Sequence, residues 1–182
     1  LTVSRSGYAK TQPLEEYREQ KRGGQGKAAA AVKEEDLIQN LYVLSSHMQI
    51  LCFTTKGKVF WLKVYEIPVA SRTSKGRPLV NMLNLDDDES VSDILPVSEF
   101  SDEQYIFMAT RNGTTKKTNL SLFSKKYKSG IKAINLDEDD KLVGTAITSG
   151  DNEILLASSS GKLIRFNESH VRPMGRTARG VR

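Results

Sequence analysis

A unit with a period near fifty residues recurs four times along this chain. Each copy has an apolar run, a glycine, a cluster of positive charge and a second glycine 17 to 19 residues after the first. The first glycines of the four copies are Gly7, Gly57, Gly113 and Gly161. Such a period is typical of repeat proteins, in which no single unit buries its apolar faces alone. We expect one repeat domain over 1–182, with approximate repeats at 1–33, 34–83, 84–134 and 135–182.

The residues around each first glycine predict a tight β-hairpin. In the second copy, Ile50–Thr54 and Val59–Tyr65 flank the turn at Gly57, and glycine supplies the positive φ that such a turn needs. The run before each turn is apolar at nearly every position, which indicates a strand covered on both faces. Further strands at Leu41–Ser45 and Leu79–Met82 complete a blade. The pattern predicts an all-β, propeller-like fold of about four blades of four strands, forming an incomplete ring.

Charge follows the same period as the hairpins. The windows 5–27, 56–77, 111–132 and 161–182 hold 25 of the 27 lysines and arginines but only 5 of the 22 acidic residues. A solvated surface usually mixes both signs, so this segregation predicts a positive edge and a negative edge on every blade. Net charge alone, which is +5, conceals the pattern.

Three acidic clusters lie between the windows, at 34–36, 86–89 and 137–140. Strands tolerate Asp poorly, so we expect these clusters to be solvated connecting loops. A calcium site is the functional alternative, but none of the clusters has the Asp-x-Asp-x-Asp-Gly spacing with a distal Glu.

Catalytic and metal-binding motifs are not recognisable in the chain. With His47, His170 and the single cysteine Cys52, no zinc site of known ligand spacing can be assembled. Gly26-Lys27 is similar to the end of a phosphate-binding loop, but Lys21 and Ala28 occupy positions that such a loop gives to Gly and Ser or Thr. We therefore expect no catalytic residue, no metal and no cofactor in this chain.

Two single residues have default structural interpretations. Cys52 lies inside an apolar run, which favours a buried small hydrophobe over a reactive thiol. Trp61 lies on an alternating strand, which favours packing over stacking on a nucleic-acid base.

The ends of the chain carry two further expectations. The chain opens on Leu1 rather than Met and stops just after Gly180, which favours a fragment of a longer polypeptide. Its apolar stretches are short and no leader pattern opens it, so we expect a cytoplasmic location.

One loop of the first repeat is both glycine-rich and basic. Its sequence, residues 20–27, reads Gln-Lys-Arg-Gly-Gly-Gln-Gly-Lys. Glycines let backbone amides approach an anion closely, and the flanking cations can bind phosphate. Taken alone, the loop is equally compatible with an anion site and with an ordinary glycine-rich turn.

The heptad at 20–26 resembles the Q-R-R-G-G-K-G box that marks the C-terminal domain of the A subunit of bacterial DNA gyrase. The likeness extends over the whole chain, including Gly76-Arg77-Pro78, Asn112-Gly113-Thr114 and Val171-Arg172-Pro173. Lys21 is a conservative departure from the box, whereas Gln25 replaces a cation. We refer to residues 20–26 as the box.

The resemblance implies a β-pinwheel, a propeller-like fold of about six blades in which neighbouring blades share strands, with this chain matching the first four. It implies a domain that wraps duplex DNA without sequence specificity inside an ATP-dependent type II topoisomerase, an isomerase that adds negative supercoils. The expected partners are the rest of the gyrase A subunit together with the gyrase B subunit, in an A2B2 complex associated with the bacterial nucleoid. ATP and magnesium are expected to act elsewhere in that complex.

The candidate DNA contacts are the box, the lysine after it and cations of the other three windows. They are Gln20, Lys21, Arg22, Gly23, Gly24, Gln25, Gly26, Lys27, Arg72, Lys75, Lys116, Lys117, Lys126, Lys128, Arg165, Arg176 and Arg179. Two alternatives remain open. One is the equivalent domain of topoisomerase IV, a decatenating relative with a degenerate or absent box, and the other is an interaction propeller whose basic rim binds acidic protein partners.

Overall fold

The computed structural model describes residues 1–17, 22–23 and 36–182. The strands are β1 (Thr2–Ser4), β2 (Tyr8–Lys10), β3 (Ile38–Leu41), β4 (Gln49–Thr54), β5 (Lys58–Lys63), β6 (Arg77–Pro78), β7 (Val91–Val97), β8 (Tyr105–Thr110), β9 (Thr115–Asn119), β10 (Ile131–Lys132), β11 (Leu142–Thr148), β12 (Glu153–Ala157) and β13 (Leu163–Asn167). Short 3-10 turns lie at Leu14–Glu16, Val64–Glu66, Leu79–Asn81, Leu120–Phe123 and Glu168–His170. The described residues contain no α-helix, which confirms the all-β prediction, and no helix among them could cross a membrane.

The strands form four sheets, with the orders β3-β1-β2-β6, β10-β5-β4-β7, β11-β8-β9 and β12-β13. Two sheets have the four strands expected of a blade, and in the described residues the other two have three and two. The chain divides into two compact units, one of Leu1–Ile50 with Leu62–Asn84 and one of Leu51–Trp61 with Leu85–Arg182.

In the first unit, the hairpin β1–β2 turns at Gly7 and pairs Val3 with Ala9. The buried Val3 and Ala9 belong to this unit's apolar interior. In the second unit, eleven buried side chains form one core, and they come mainly from β4, β5, β8 and the segments that follow β9 and β10. Phe53 and Phe123 pack edge-to-face at its centre, with ring centroids 6.3 Å apart.

The run before each turn is buried as predicted in β4 and β8, but the prediction is wrong for β12. Leu155 in β12 is 60% exposed, because the part of the chain that the structure describes gives β12 only β13 as a partner.

The two residues with default interpretations behave as predicted. Cys52 is fully buried, which raises the pKa of its thiol to about 12. Trp61 packs on the core and donates its indole N–H to the Phe123 carbonyl at 2.9 Å.

In the three later repeats, the segment after the second glycine adds to the sheet of the preceding repeat. β6 pairs with β2, β10 pairs with β5, and Val181 pairs with Thr115 at the start of β9. This arrangement confirms that neighbouring blades share strands.

At Gly76 and Gly180, only glycine fits between the two backbones that lie side by side. Gly76 and Gly180 have φ values of +82° and +106°, in the left-handed region. A Cβ on Gly76 would overlap the carbonyl oxygen of Ala9, and one on Gly180 would lie 2.5 Å from the carbonyl oxygen of Thr115. The second glycine of the repeat therefore lets one backbone lie directly against another.

Three strand predictions of the second repeat are wrong in their bounds. The strand predicted at Val59–Tyr65 ends at Lys63, because Val64–Glu66 forms a 3-10 turn. The segment predicted as a strand at Leu79–Met82 is a 3-10 turn over Leu79–Asn81, because Pro78 fixes φ at −61° and Leu79 turns inward to a buried position. The strand predicted at Leu41–Ser45 lies earlier, at Ile38–Leu41, where it pairs with β1.

Candidate nucleic-acid interface

Cations at the hairpin turn of the second repeat are neutralised by the acidic cluster that follows it. Lys58 Nζ lies 2.8 Å from Asp86 Oδ2 and 3.3 Å from Glu89 Oε2, and Lys56 is paired with Asp88. The bond to Asp88 raises the pKa of Lys56, and the bond from Lys58 lowers the pKa of Asp86, as expected for ion pairs. These cations are therefore partly screened from any external anion.

The prediction that the acidic clusters are wholly solvated is wrong for the last carboxylate of each. Asp36, Glu89 and Asp140 are buried, with only 5–7% of their surfaces exposed. Asp36 accepts from the Ser6 amide at 3.0 Å, and Asp140 accepts from the Asn112 amide at the same distance. Glu89 accepts from the Thr54 hydroxyl. Each cluster thus caps the hairpin turn of the preceding repeat, a role that loop composition does not reveal.

The prediction that Lys116 and Lys117 are exposed DNA contacts is also wrong. All four residues from Thr115 to Thr118 in β9 are buried, because β9 is covered on both faces. Lys116 Nζ donates to the Ala133 carbonyl at 2.6 Å and to the Arg176 carbonyl. Burial lowers the pKa of Lys116 to about 8, and the charge of Arg176 acts in the same direction.

Lys117 lies on the opposite face of β9. Its ammonium donates to the Glu168 carbonyl at 2.9 Å and lies 3.6 Å from the carboxylate of the same residue. Glu168 is fully buried and also accepts from the Thr148 hydroxyl and from the Gly150 and Asn152 amides. Lys117 is therefore part of a buried ion pair within the second unit.

Among the described residues, most of the exposed positive charge lies in three segments that span the second glycines. We call residues 71–77, 125–132 and 172–182 the basic loops. They hold three, four and four cations and no acidic residue. Their cations are Arg72, Lys75, Arg77, Lys125, Lys126, Lys128, Lys132, Arg172, Arg176, Arg179 and Arg182. Arg72 and Arg176 are half-buried, and the others are exposed.

Two candidate contacts have a carboxylate partner at the surface. Arg179 Nη2 lies 2.5 Å from Asp137 Oδ2, and Arg165 Nε, on β13, lies 2.8 Å from Glu153 Oε2. All four side chains are about half exposed or more, so water and salt screen these pairs and a phosphate can compete for the cations.

The box occupies the corresponding place in the sequence of the first repeat and ends at its second glycine, Gly26. Arg22 and Gly23 are described, and both are exposed. The other box positions and the lysine after them lie outside the described residues: Gln20, Lys21, Gly24, Gln25, Gly26 and Lys27. Arg72 in the first basic loop lies over the ring of Tyr17, 5.6 Å from its centroid. The loop therefore contacts the chain close to where the box begins.

Two basic loops meet inside the second unit. The Lys116 ammonium bonds to the carbonyl of Ala133, which directly follows loop 125–132, and to that of Arg176 in loop 172–182. The amide of Asn135 donates to the Ala178 carbonyl at 3.1 Å. Cations from consecutive repeats thus lie on adjoining segments, an arrangement that suits a ligand with closely spaced negative charges.

Comparison with known proteins gives a consistent result. A family model described as "DNA gyrase C-terminal domain, beta-propeller" matches residues 1–45, 49–98, 104–149 and 152–182. The DNA gyrase A subunit of Aeromonas salmonicida is 52% identical over 174 residues, which is 96% of this chain and 19% of that protein. The DNA gyrase A subunit of Escherichia coli is 50% identical over 182 residues, 100% of this chain and 21% of that protein. The chain thus spans about a fifth of the length of these relatives.

Solved structures agree with the sequence comparison. The crystal structure of the C-terminal domain of DNA topoisomerase IV matches with a TM-score of 0.84 and 31% identity, over 100% of this chain and 55% of that one. The structure of a DNA gyrase A C-terminal domain matches with a TM-score of 0.73 over 99% of this chain and 58% of that one. At 24% identity, the second match concerns the fold alone.

Proposed function

Because the chain belongs to the DNA gyrase C-terminal domain family, we propose that it wraps duplex DNA for a gyrase holoenzyme. The chain supplies no catalytic group and bends DNA around its basic loops. The holoenzyme is an ATP-dependent type II topoisomerase of A2B2 composition, in which the rest of the A subunit joins with the B subunit, and it adds negative supercoils in the bacterial cytoplasm. ATP and magnesium act on other parts of that complex.

One observation carries this proposal: some cations of the described windows are paired or buried, whereas those of the basic loops lie in segments without acidic residues. Turn cations such as Lys56 and Lys58 are paired with carboxylates, and Lys116 and Lys117 are buried. The basic loops keep eleven cations without a single acidic residue among them. Arginine and lysine bind phosphate oxygens without reading bases, so this surface suits sequence-independent DNA binding.

A comparison of the phosphate contacts with the free-energy cost of bending DNA favours wrapping. If each of the four repeats neutralises about two or three phosphates, log K falls with log salt with a slope of roughly −7 to −11. Bending a segment of about 20–30 base pairs by 40–90° costs of the order of 1–6 kcal/mol, which several charge-assisted contacts per repeat can offset.

The homologous domain of topoisomerase IV is the second candidate, and the observation that supports it is the match to its crystal structure. Relatives named as the A subunit of DNA gyrase are 50–52% identical over nearly the whole chain, against 31% for that structure. The recognisable box at 20–26 also supports the gyrase assignment. Whether the chain wraps DNA with a fixed handedness distinguishes the two candidates.

The test is to ligate a nicked plasmid in the presence of the chain, remove the protein, and measure the linking-number distribution. We expect a shift that grows with protein concentration and disappears at high salt. An unchanged distribution would contradict wrapping by this chain.

Matched variants connect that shift to the basic loops. Lys75→Gln and Lys125→Gln each remove an exposed loop cation, and each should reduce the shift. Lys141→Gln removes an exposed cation outside the windows and should reduce it much less. Equal losses in all three would indicate a response to net charge alone.

A further inference from the structure

Two buried lysines occupy the same place in different repeats. Lys10 and Lys116 each lie three residues after the first glycine of their repeat, on the strand that leaves the hairpin. Their exposed fractions are 2% and 0%. Neither makes an ion pair with a carboxylate among those found in the described residues.

Both ammonium groups bind backbone carbonyls of a basic loop that belongs to the following repeat. Lys10 Nζ donates to the carbonyls of Ser71, Arg72 and Ser74 at 2.9, 2.9 and 2.8 Å. Lys116 Nζ donates to the Arg176 carbonyl and to that of Ala133. An ammonium group has three donors, so Lys10 satisfies all of them on one loop.

The geometry holds the loop backbone in a defined shape. Three carbonyls that converge on one cation turn their peptide units inward, and the side chains of the loop are carried on the outside of that turn. A buried charge is costly without such partners, so the carbonyl ligands and the lysine stabilise each other. Burial lowers the pKa of both lysines, which agrees with a site enclosed by protein.

The other two repeats have apolar residues at the equivalent position. Phe60 lies there in the second repeat, and the ring would be 2.6 Å from a Cβ on Gly130. Loop 125–132 is therefore supported by an aromatic ring at Gly130, and Lys116 bonds there only to Ala133, directly after the loop. Loop 125–132 serves as an internal reference for loop 71–77, which Lys10 binds.

We infer that Lys10 and Lys116 are positioning residues for DNA wrapping, which hold loops 71–77 and 172–182 in the conformation that presents their cations to phosphate. The inference rests on the proposed function. The lysines themselves do not contact DNA, since their ammonium groups are buried.

The test uses Lys10→Met and Lys116→Met in the full chain, with folding checked by circular dichroism. Limited trypsin digestion with peptide mapping first reports on the loops in the absence of DNA. Lys10→Met should increase cleavage after Arg72 and Lys75, and Lys116→Met should increase cleavage after Arg176 and Arg179. Cleavage after Lys125 and Lys128 should stay unchanged in Lys10→Met, and cleavage after Arg72 and Lys75 should stay unchanged in Lys116→Met. A variant that does not fold is replaced by Lys→Gln, which keeps two N–H donors.

DNA binding then distinguishes positioning from simple charge loss. Removing one cation that contacts phosphate lowers the salt slope by about 0.9. A loosened loop loses contacts from about two of its own cations, so each variant should lower the slope by about 1.8. Lys132→Met, which removes an exposed cation, provides the single-charge reference.

The outcomes separate the inference from the function on which it rests. If the unmodified chain shifts linking number while the variants keep wild-type digestion patterns and salt slopes, the positioning role is wrong. Cleavage that increases in both loops with either variant indicates general destabilisation and also overturns it. If the unmodified chain produces no shift, the proposed function is wrong, and the digestion result still decides whether the lysines hold the loops.

Discussion

At the scale of single residues, the most constrained charge in the second unit is the Glu168 carboxylate. It accepts hydrogen bonds from one hydroxyl and two amides and lies 3.6 Å from the buried ammonium of Lys117. Breaking a buried ion pair leaves an uncompensated charge and typically costs about 3–5 kcal/mol. The role of Glu168 is therefore structural, and it connects β9, the end of β11 and the turn before β12.

We predict that Glu168→Gln lowers the free energy of unfolding by about 3 kcal/mol, because a neutral amide cannot accept the same bonds or balance Lys117. Urea unfolding followed by circular dichroism measures the loss. Glu153→Gln breaks the exposed pair with Arg165 and should cost less than about 1 kcal/mol. Similar losses of unfolding free energy in the two variants would contradict the assignment of Glu168 to a buried ion pair.

Sequence patterns could not separate these roles. Neighbouring residues on a strand point to opposite faces, so Lys116 and Lys117 together predict at least one exposed ammonium group. Both are buried because the loop around Arg176 covers one face of β9 and Glu168 covers the other. That cover comes from residues 51 and 60 positions later in the chain, which no local pattern reports.

At the scale of elements, the second glycines decide whether neighbouring repeats can share a sheet. Gly76 and Gly113 have nearly the same φ, +82° and +85°, but only Gly76 lies against another backbone. The space around Gly113 is open, with no atom within 4 Å of an added Cβ. The hairpin glycines were predictable from turn chemistry, whereas the backbone contact at Gly76 was not, since it depends on which strand β6 joins.

We predict that Gly113→Ala costs about 1 kcal/mol, the strain of an alanine at positive φ, and that Gly76→Ala costs about 3 kcal/mol. The larger loss arises because the new methyl group overlaps the Ala9 carbonyl and displaces β6 from β2. Urea unfolding of the two variants beside the unmodified chain measures both. If Gly76→Ala costs no more than Gly113→Ala, the close approach is unimportant for stability.

At the scale of the whole molecule, the charged windows divide into parts with different partners. The sequence predicts a positive edge and a negative edge on each blade, but the acidic clusters cap the hairpins and pair with cations such as Lys56 and Lys58. Exposed positive charge therefore concentrates in the basic loops. Net charge and the number of cations in each window predict a negatively charged ligand. Only the folded chain shows which cations are exposed to that ligand.

We predict that Asp86→Asn with Asp88→Asn releases Lys56, whereas Lys58 keeps its pair with Glu89; the double variant strengthens DNA binding about threefold at moderate salt and steepens the salt slope by about 0.9. Glu99→Gln with Glu103→Gln changes the net charge equally at exposed positions and provides the control. Filter binding at several salt concentrations measures both. Identical changes in the two double variants would show that net charge, rather than local pairing, sets the affinity.

The sharing of strands between repeats has a consequence for recombination and for protein engineering. A lysine such as Lys10 and the loop that it holds come from different sequence repeats, so exchanging one repeat at its sequence boundaries would separate each anchor from its loop. The cassette that can be transplanted intact is longer than one period and runs from the hairpin of one repeat to the second glycine of the next, from Gly7 to Gly76 in the case of Lys10. Chimeras cut at those points keep every anchor together with its own loop.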